Sequence, residues 1–288
     1  MAVVLITGTS RGIGLESALS FARAGDTVAA TMRSPERAPD LARIAERDQL
    51  PITVFAMDVD DDESVRDAVG RIGAVLGPID VLVNNAGIER TGSVEELPLA
   101  DFRAVMETNY FGVIRCVQAV LPSMRERRSG CIINVTSISG RLAASPLAPY
   151  AASKYALEAL SECLAQEVKA FGVRVAIVEP GIIDTAMARE VSEAGAESHY
   201  PHERRMAALF TASLQQPVPA TLVAEKLLEI ASCGTWQLRH VVGPDAAPFL
   251  GWRQAMSDEA WVDFGALGDE AWCARIEADF GMRVRPGA

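Results

Sequence analysis

Tyr150 and Lys154 bracket the segment Tyr150-Ala-Ala-Ser-Lys154, at the start of a stretch with helical periodicity. On a helix, residues i and i+4 share one face. A free phenol titrates near 10, and an ammonium beside it stabilises the phenolate. The pair therefore reads as a general acid/base with a charged helper. Ser137, at the end of an earlier apolar run, offers a hydroxyl that can hold an oxygen on which charge develops. A second candidate lies near the start of the chain, in Val4–Ala22. Gly8-Thr9-Ser10-Arg11-Gly12 fits G-x-S-x-G, which would make Ser10 a hydrolase nucleophile. Gly8, Gly12 and Gly14 also form a glycine-rich strand-to-helix turn, a cradle for phosphate, although not in the G-x-G-x-x-G spacing.

The rest of the chain decides between these two readings. A hydrolase elbow needs an acid and then a histidine further on. His199, His202 and His240 are available. The elbow belongs well inside the order of strands, whereas this turn follows the first one. His199 and His202 also fall in a stretch with no regular pattern. The phosphate reading needs only what is present. A turn after a first parallel strand lies at the carboxyl edge of the sheet. There the unpaired N–H groups and dipole of the following helix favour an anion. Thr9 and Ser10 can add hydroxyl hydrogen bonds.

The elements that must position these residues alternate along the chain. Apolar runs predict strands at Val3–Thr7, Thr27–Met32, Ile52–Asp58, Ile79–Asn84, Cys131–Ser137, Val173–Val178 and Leu238–Val242. Leu15, Ala18, Leu19 and Ala22 recur at helical spacing after the first. A polar helix start follows the third at Asp61–Ser64. Strands without in–out alternation imply burial on both faces. Successive βαβ units of this kind predict an α/β fold: one doubly wound, mostly parallel sheet flanked by helices, the Rossmann arrangement. No linker interrupts the series, so residues 1–288 are read as a single domain. Residues 186–216 lack strand signals and mix polar residues with Met187, Tyr200, Met206 and Phe210. Residues 244–288 form an extension rich in aromatics: Phe249, Trp252, Trp261, Phe264, Trp272 and Phe280.

Composition narrows the class. Of 288 residues, 49% are apolar, enough for a large core, and the net charge of −11 argues against nucleic acid or an anionic membrane as partner. Cys116, Cys131, Cys163, Cys233 and Cys273 are scattered with no C-x-x-C pair, so reduced thiols and no metal site are expected. Val3–Ile6 is too short for a secretory h-region and has no basic segment before it, and no run reaches transmembrane length, so a cytoplasmic location is the expectation.

Together the motifs extend further. T-G-x3-G-x-G at Thr7–Gly14 is followed by Asn84-Asn85-Ala86-Gly87, Asn109, Ser137, Tyr150-x3-Lys154 and Pro180-Gly181. In this order and spacing the chain resembles the short-chain dehydrogenase/reductase family over roughly Val3–Val242. The resemblance implies hydride transfer between a nicotinamide dinucleotide and a secondary alcohol or ketone, with Tyr150 as acid/base. It gives Lys154 the nicotinamide ribose as well, and Asn109 a water held by its backbone carbonyl that connects Lys154 to solvent. It assigns Gly8, Thr9, Ser10, Arg11, Gly12, Ile13 and Gly14 to the cofactor's phosphate side, Asp58 and Val59 to its adenine, and Asn85, Ala86 and Gly87 to the turn beside it. Pro180, Gly181 and Ile183 would lie near the nicotinamide, and Thr185 would bond its carboxamide.

An NAD enzyme places Asp or Glu at the end of the second strand. Here Met32 ends that strand and Arg33 follows, with Arg11 on the same rim. An acid would repel a 2′-phosphate, whereas an arginine pairs with it. NADP(H) is expected, with NAD(H) as the alternative. Residues 186–216 stand where the family carries a substrate loop, and their apolar residues suggest a bulky, mostly apolar small-molecule substrate. Similarity to hydroxysteroid and retinol dehydrogenases and carbonyl reductases points the same way. Self-association as a homodimer or homotetramer, through the helices up to and including the Tyr150 helix, is implied by the resemblance. The extension would cover the active-site mouth or form an interface. A non-catalytic dinucleotide-binding sensor is the alternative from another class, and the complete Ser137, Tyr150 and Lys154 set argues against it.

Overall fold

The computed structural model describes residues 1–193 and 198–287. Seven strands form one sheet in the order β3-β2-β1-β4-β5-β6-β7, and every pairing is parallel. They are β1 (Val3–Thr7), β2 (Thr27–Met32), β3 (Ile52–Ala56), β4 (Val81–Asn84), β5 (Gly130–Val135), β6 (Val173–Pro180) and β7 (Arg239–Val242). Helices α1 (Gly12–Arg23), α2 (Asp40–Arg47), α3 (Asp62–Leu76), α4 (Leu99–Met106), α5 (Gly112–Arg127), α6 (Ala148–Lys169), α7 (Ala186–Glu193), α8 (His202–Ser213) and α9 (Ala220–Cys233) provide the crossovers. The last three helices, α10 (Ala246–Gln254), α11 (Asp258–Ala266) and α12 (Asp269–Phe280), follow the sheet.

Because side chains alternate across a strand, the apolar runs feed two cores. Val4, Ile6, Val28 and Ala30 pack with α1, α2 and α9 on one face. Leu5, Ala29, Leu82 and Ile132 pack with α3, α5 and α6 on the other. Val4, Leu5, Ile6, Leu82 and Ile132 have no exposed surface, as expected for a sheet covered on both sides. A third core lies beyond the sheet's carboxyl edge. There Ile138, Leu142 and Leu147 meet α8 and the aromatic residues of α10–α12.

Strand ends differ from the sequence reading where a local bond ends the ladder. β3 stops at Ala56, because the Asp58 N–H turns to the Ser64 hydroxyl at 2.9 Å and enters the α3 start. β5 stops at Val135, and Ser137 instead caps a short 3₁₀ turn, accepting from the Ser139 N–H at 3.0 Å. β6 runs on to Pro180 because β7 pairs with it through Pro180 and Val242. Residues 186–216, expected as an irregular loop, contain α7 and the whole of α8, and His202 opens α8. Residues 194–197 within that segment lie outside the described residues.

β1 and β4 are neighbours although β2 and β3 follow β1 in sequence, so the strand order reverses between them. The crossovers diverge there and leave a crevice at the carboxyl edge.

Candidate active site

The crevice is built from the ends of β1 and β4. Thr7 Oγ1 accepts from the Asn85 and Ala86 N–H groups at 3.0 and 2.9 Å. Asn85 Nδ2 returns bonds to the carbonyls of Thr7 and Gly8 at 2.9 and 3.1 Å. Asn-Asn-Ala-Gly therefore fixes the glycine turn against the neighbouring strand. Gly8 has φ +72°, and a Cβ there would stand 2.8 Å from Ala86 Cα. At Gly14 a Cβ would stand 2.2 Å from the Gly8 carbonyl oxygen. Both positions exclude a side chain.

The N-terminus of α1 has the properties of an anion site. Its N-cap, Arg11, makes no side-chain capping bond, and no acidic residue occupies the first turn. By contrast α3 is capped by Asp61, which accepts from the Ser64 N–H at 2.7 Å. The N–H groups at the start of α1 thus lack a capping acceptor among the described residues and face the crevice, which fits a pyrophosphate.

A cavity of about 570 Å³ runs from this turn into the third core. All residues assigned to cofactor or chemistry line it except Thr9 and Asn109. Thr9 is fully buried, and both its N–H and its hydroxyl donate to the Thr31 carbonyl, at 3.0 and 3.2 Å. It ties the turn to β2, so its hydroxyl is not available to a phosphate, whereas Ser10 is exposed at the cavity edge. Asn109 lies in a π-helical turn, Glu107–Phe111, a form common beside functional sites. Its Oδ1 accepts from the Ile88 N–H at 2.8 Å, and its Nδ2 donates to the Ile88 carbonyl and the Ser153 hydroxyl at 2.9 and 3.0 Å. The side chain is thus a clip between the loop after β4 and α6.

Ser137, Tyr150 and Lys154 converge from β5's end and α6. The Lys154 ammonium is buried and donates to the Val135 carbonyl at 2.9 Å. It lies 5.5 Å from the centre of the Tyr150 ring. Burial lowers the lysine to about 8, while Glu158 one turn further along α6 acts to raise it. For Tyr150 the expected lowering by the ammonium is not what this arrangement gives. Burial raises the phenol, the Ser137 hydroxyl acts to lower it, and the charge of Glu89 raises it further. Lys154 donates to the Val135 carbonyl, and the burial of the phenol is the larger influence on Tyr150.

Other assigned residues hold the rim. A Cβ on Gly181 would stand 2.3 Å from Asp245 Oδ1, while Asp245 Oδ2 accepts from the Ile182 N–H at 2.7 Å. The first residues of the extension therefore clamp the Pro180-Gly181 turn. Thr185 Oγ1 accepts from the Ala188 N–H at 3.3 Å and so caps α7. Arg11 pairs with Glu190 of α7 at 3.2 Å, both largely exposed. Arg33 is exposed at the cavity edge and has no ion-pair partner among the described residues. Asp58 and Val59 line the same end.

Glu89 and Asp245 were not singled out by sequence. Glu89 lies two residues beyond the Asn-Asn-Ala-Gly motif, lines the cavity, and accepts from the Thr91 hydroxyl at 2.6 Å. Its carboxyl is raised, mainly by burial. Position just after the motif was the only available signal for Glu89. Asp245 had none, because its role depends on the chain after β7 bringing its carboxyl onto the Gly181-Ile182 turn.

A crevice at the strand-order switch, an uncapped helix N-terminus, and Ser137, Tyr150 and Lys154 converging on one cavity make up the arrangement of a nucleotide-binding α/β fold. Comparison with known proteins makes the class specific. A model of the family described as short chain dehydrogenase matches residues 2–196. Oxidoreductase BOA17 of Botryotinia fuckeliana is 36% identical over 265 residues, 89% of this chain and 95% of that protein. Bovine retinol dehydrogenase 8 is 41% identical over 202 residues, 69% of this chain but 64% of that protein. Among solved structures, a short-chain dehydrogenase from Streptomyces avermitilis superposes with TM-score 0.77 at 34% identity, covering 91% of this chain and 94% of that one. A gluconate 5-dehydrogenase from Burkholderia cenocepacia, in complex with NADP and tartrate, gives TM-score 0.73 at 29% identity over 88% of this chain and 96% of that one. The chain belongs to the short-chain dehydrogenase/reductase family, whose members are oxidoreductases that bind a nicotinamide dinucleotide.

Proposed function

We propose that this protein interconverts a secondary alcohol and a ketone on a bulky, mostly apolar small molecule, with NADP(H) as cofactor. The supporting observation is the continuous cavity that joins the α1 N-terminus, Tyr150 and the third, aromatic core. Bound dinucleotide would supply or accept the hydride. The chain's residues do the rest. The α1 N–H groups and Ser10 hold the phosphates, and Lys154 orients the ribose. Ser137 holds the substrate oxygen, and Tyr150 gives or takes the proton at that oxygen. Burial keeps the phenol protonated at neutral pH, which suits proton donation in the reducing direction. Asn109 fixes the loop beside Lys154 and leaves its backbone carbonyl for a water in the proton path.

Arg33, free of an ion-pair partner among the described residues and not replaced by an acid, supports NADP(H) over NAD(H). An NADP-bound neighbour is consistent with this. The bulk of the substrate is inferred from the aromatic wall, and retinol dehydrogenase 8 is named for an apolar alcohol of that kind. Phe111, immediately before α5, and Tyr155 on α6 are each 44% exposed, which suits self-association on that side.

The test is NADPH consumption across steroids, retinoids, quinones and aliphatic ketones, with Tyr150→Phe as control. Turnover that falls by at least about a thousandfold in the variant, with cofactor binding intact, is the expected result. Tight cofactor binding without Tyr150-dependent turnover on any compound would refute the enzymatic reading.

A further inference from the structure

The loop after β4 brings a carboxylate to the cavity. Among the Asp, Glu, Lys and Arg side chains that line it, Arg11, Arg33, Asp58 and Asp60 stand beside the glycine turn and the ends of β2 and β3. Lys154 is committed to the Val135 carbonyl. The one left is Glu89. Gly87, two residues earlier, lies against Lys154, since a Cβ there would stand 3.8 Å from its Nζ. Glu89 thus meets the cavity close to Tyr150, on whose phenol its charge acts. Its Oε1 accepts from the Thr91 hydroxyl at 2.6 Å. Its Oε2 has no hydrogen-bond partner among the described residues, yet it is not sealed, because Glu89 is only half-buried and lines the cavity. No cation answers it there. Arg90 pairs with Asp101 at 3.3 Å and donates to the Glu89 carbonyl at 2.7 Å, while Arg11 pairs with Glu190. Burial is the main force raising the Glu89 carboxyl; the Thr91 hydroxyl opposes it, the charge of Glu190 on α7 adds to it, and Arg90 opposes it less. A partly desolvated carboxylate without a counter-charge is costly, and a cation that enters the cavity would relieve it.

We propose that Glu89 selects substrates with a protonated amine beside the reacting carbon: its Oε2 accepts from the ammonium while the carbon tail runs to the aromatic wall of α10–α12. The proposal rests on the reading of the cavity as the substrate site of an oxidoreductase. A cation is the group that fits. A neutral hydroxyl would occupy Oε2 but leave the charge unanswered. A substrate carboxylate would meet Glu89 as a like charge, with Glu190 adding to the repulsion. An ammonium supplies donor and counter-charge together, and such charge-assisted bonds are the strong ones. The place of the amine follows from that of Glu89. An amine at the far end of the tail would lie among Phe249, Trp252 and Trp272, where no carboxylate lines the cavity among the described residues. An amine on the carbon next to the alcohol or ketone comes to the loop that packs on Lys154. The substrate class is therefore an amphiphilic amino alcohol or amino ketone, with a polar head at Tyr150 and an apolar tail. A site built around a hydrogen-bonding group discriminates strongly against the analogue that lacks the partner.

The experiment compares three alcohols with one carbon chain: 2-decanol, 1-amino-2-decanol and 2-hydroxydecanoate, which carry a methyl, an ammonium or a carboxylate beside the carbinol carbon. Binding to the full chain is measured by calorimetry with NADPH present, so that the alcohols are not turned over. The expected order is amine over neutral alcohol by about tenfold or more, the scale of a hydrogen bond to a charged group, and neutral alcohol over acid. Glu89→Gln, which keeps the shape and can still hold Thr91, collapses the amine-to-acid ratio towards one. Glu89→Asp keeps the charge and retains part of the ratio, and unchanged NADPH binding in both variants shows that they are folded. An amine that binds no tighter than 2-decanol, or an advantage that survives in a folded Glu89→Gln, overturns the proposal, as does failure of all three to bind. Tyr150-dependent reduction of neutral ketones without any amine preference sinks this proposal alone. A Glu89-dependent amine preference without Tyr150-dependent turnover on any compound would uphold the amine site and sink the enzymatic reading instead.

Discussion

At the residue scale, the site is governed by what burial does to two groups. Lys154 is held at about 8 against 10.5 for a free lysine. A folded value below the unfolded one means that the unfolded chain binds more protons between those two pH values. Stability therefore rises as pH climbs through that window, and the full cost of the buried ammonium is present below about pH 8. That cost is about 3 kcal/mol from the shift, and its relief in a Lys154→Met variant is reduced by about 1 kcal/mol for the Val135 carbonyl left without a donor. Thermal unfolding of the cofactor-free protein should show Lys154→Met more stable than wild type at pH 7, the gap closing towards pH 10. A variant that is less stable at pH 7 would show that the lysine is not strained by its site. Glu89 gives a second prediction. Its negative charge raises Tyr150, so Glu89→Gln should move the alkaline limb of kcat/KM for ketone reduction to lower pH. An unmoved limb would mean that Glu89 does not act on the phenol. The candidate roles of Tyr150, Lys154 and Ser137 were legible in residue type and spacing. The direction of the phenol's shift was not, because it depends first on how the folded chain buries the ring and then on a carboxylate outside the motifs.

At the scale of elements, the strands were legible to within one or two residues, because a sheet covered on both faces demands unbroken apolar runs. The misplaced ends, at Asp58 and Ser137, are set by single bonds to Ser64 and Ser139 that periodicity does not encode. Residues 186–216 gave no strand signal and were expected as a loop, yet most of the segment is helical. There α7 is tied to the cofactor turn by Arg11 and Glu190. An exposed pair of this kind adds little stability, but it occupies one of the two arginines that a 2′-phosphate would need. Glu190→Gln should release Arg11 and lower the KM for NADPH about two- to threefold with little change for NADH, because the freed guanidinium can form a charge-assisted hydrogen bond with the 2′-phosphate. Arg33→Asp should act in the opposite sense and raise the NADPH KM by about tenfold or more, again sparing NADH. Steady-state kinetics with both cofactors checks the pair. Equal effects on NADPH and NADH in either variant would remove that arginine from cofactor choice.

At the scale of the molecule, the chain has a sheet with two cores that carries the crevice at its carboxyl edge, and a third core that walls the far end of the cavity. The aromatic extension was visible in composition, but its partners in α8 and the loop after β5 lie far away in sequence, so its place over the cavity was not. Trp252 is the centre of that third core's aromatic cluster. Its ring meets those of Trp261, Phe264 and Phe280 at 5.4, 5.0 and 5.1 Å, and its Nε1 donates to Asp279 at 2.7 Å. Trp261 in turn donates to the Ala143 carbonyl at 3.1 Å, joining α11 to the loop before α6. Trp252→Ala should cost about 3 kcal/mol by the usual aromatic-to-alanine scale. Because these rings lie outside the two sheet cores, the loss should be local. Hydrogen exchange should quicken in α10–α12 and the KM for apolar ketones should rise, while β1, β4 and NADPH affinity stay unchanged within about twofold. Asp245 sets the limit of this independence, since it binds the Pro180-Gly181 turn from the first residues of the extension. If exchange quickens equally in the sheet and NADPH affinity falls with it, the two parts unfold as one unit and the division of labour between them is wrong.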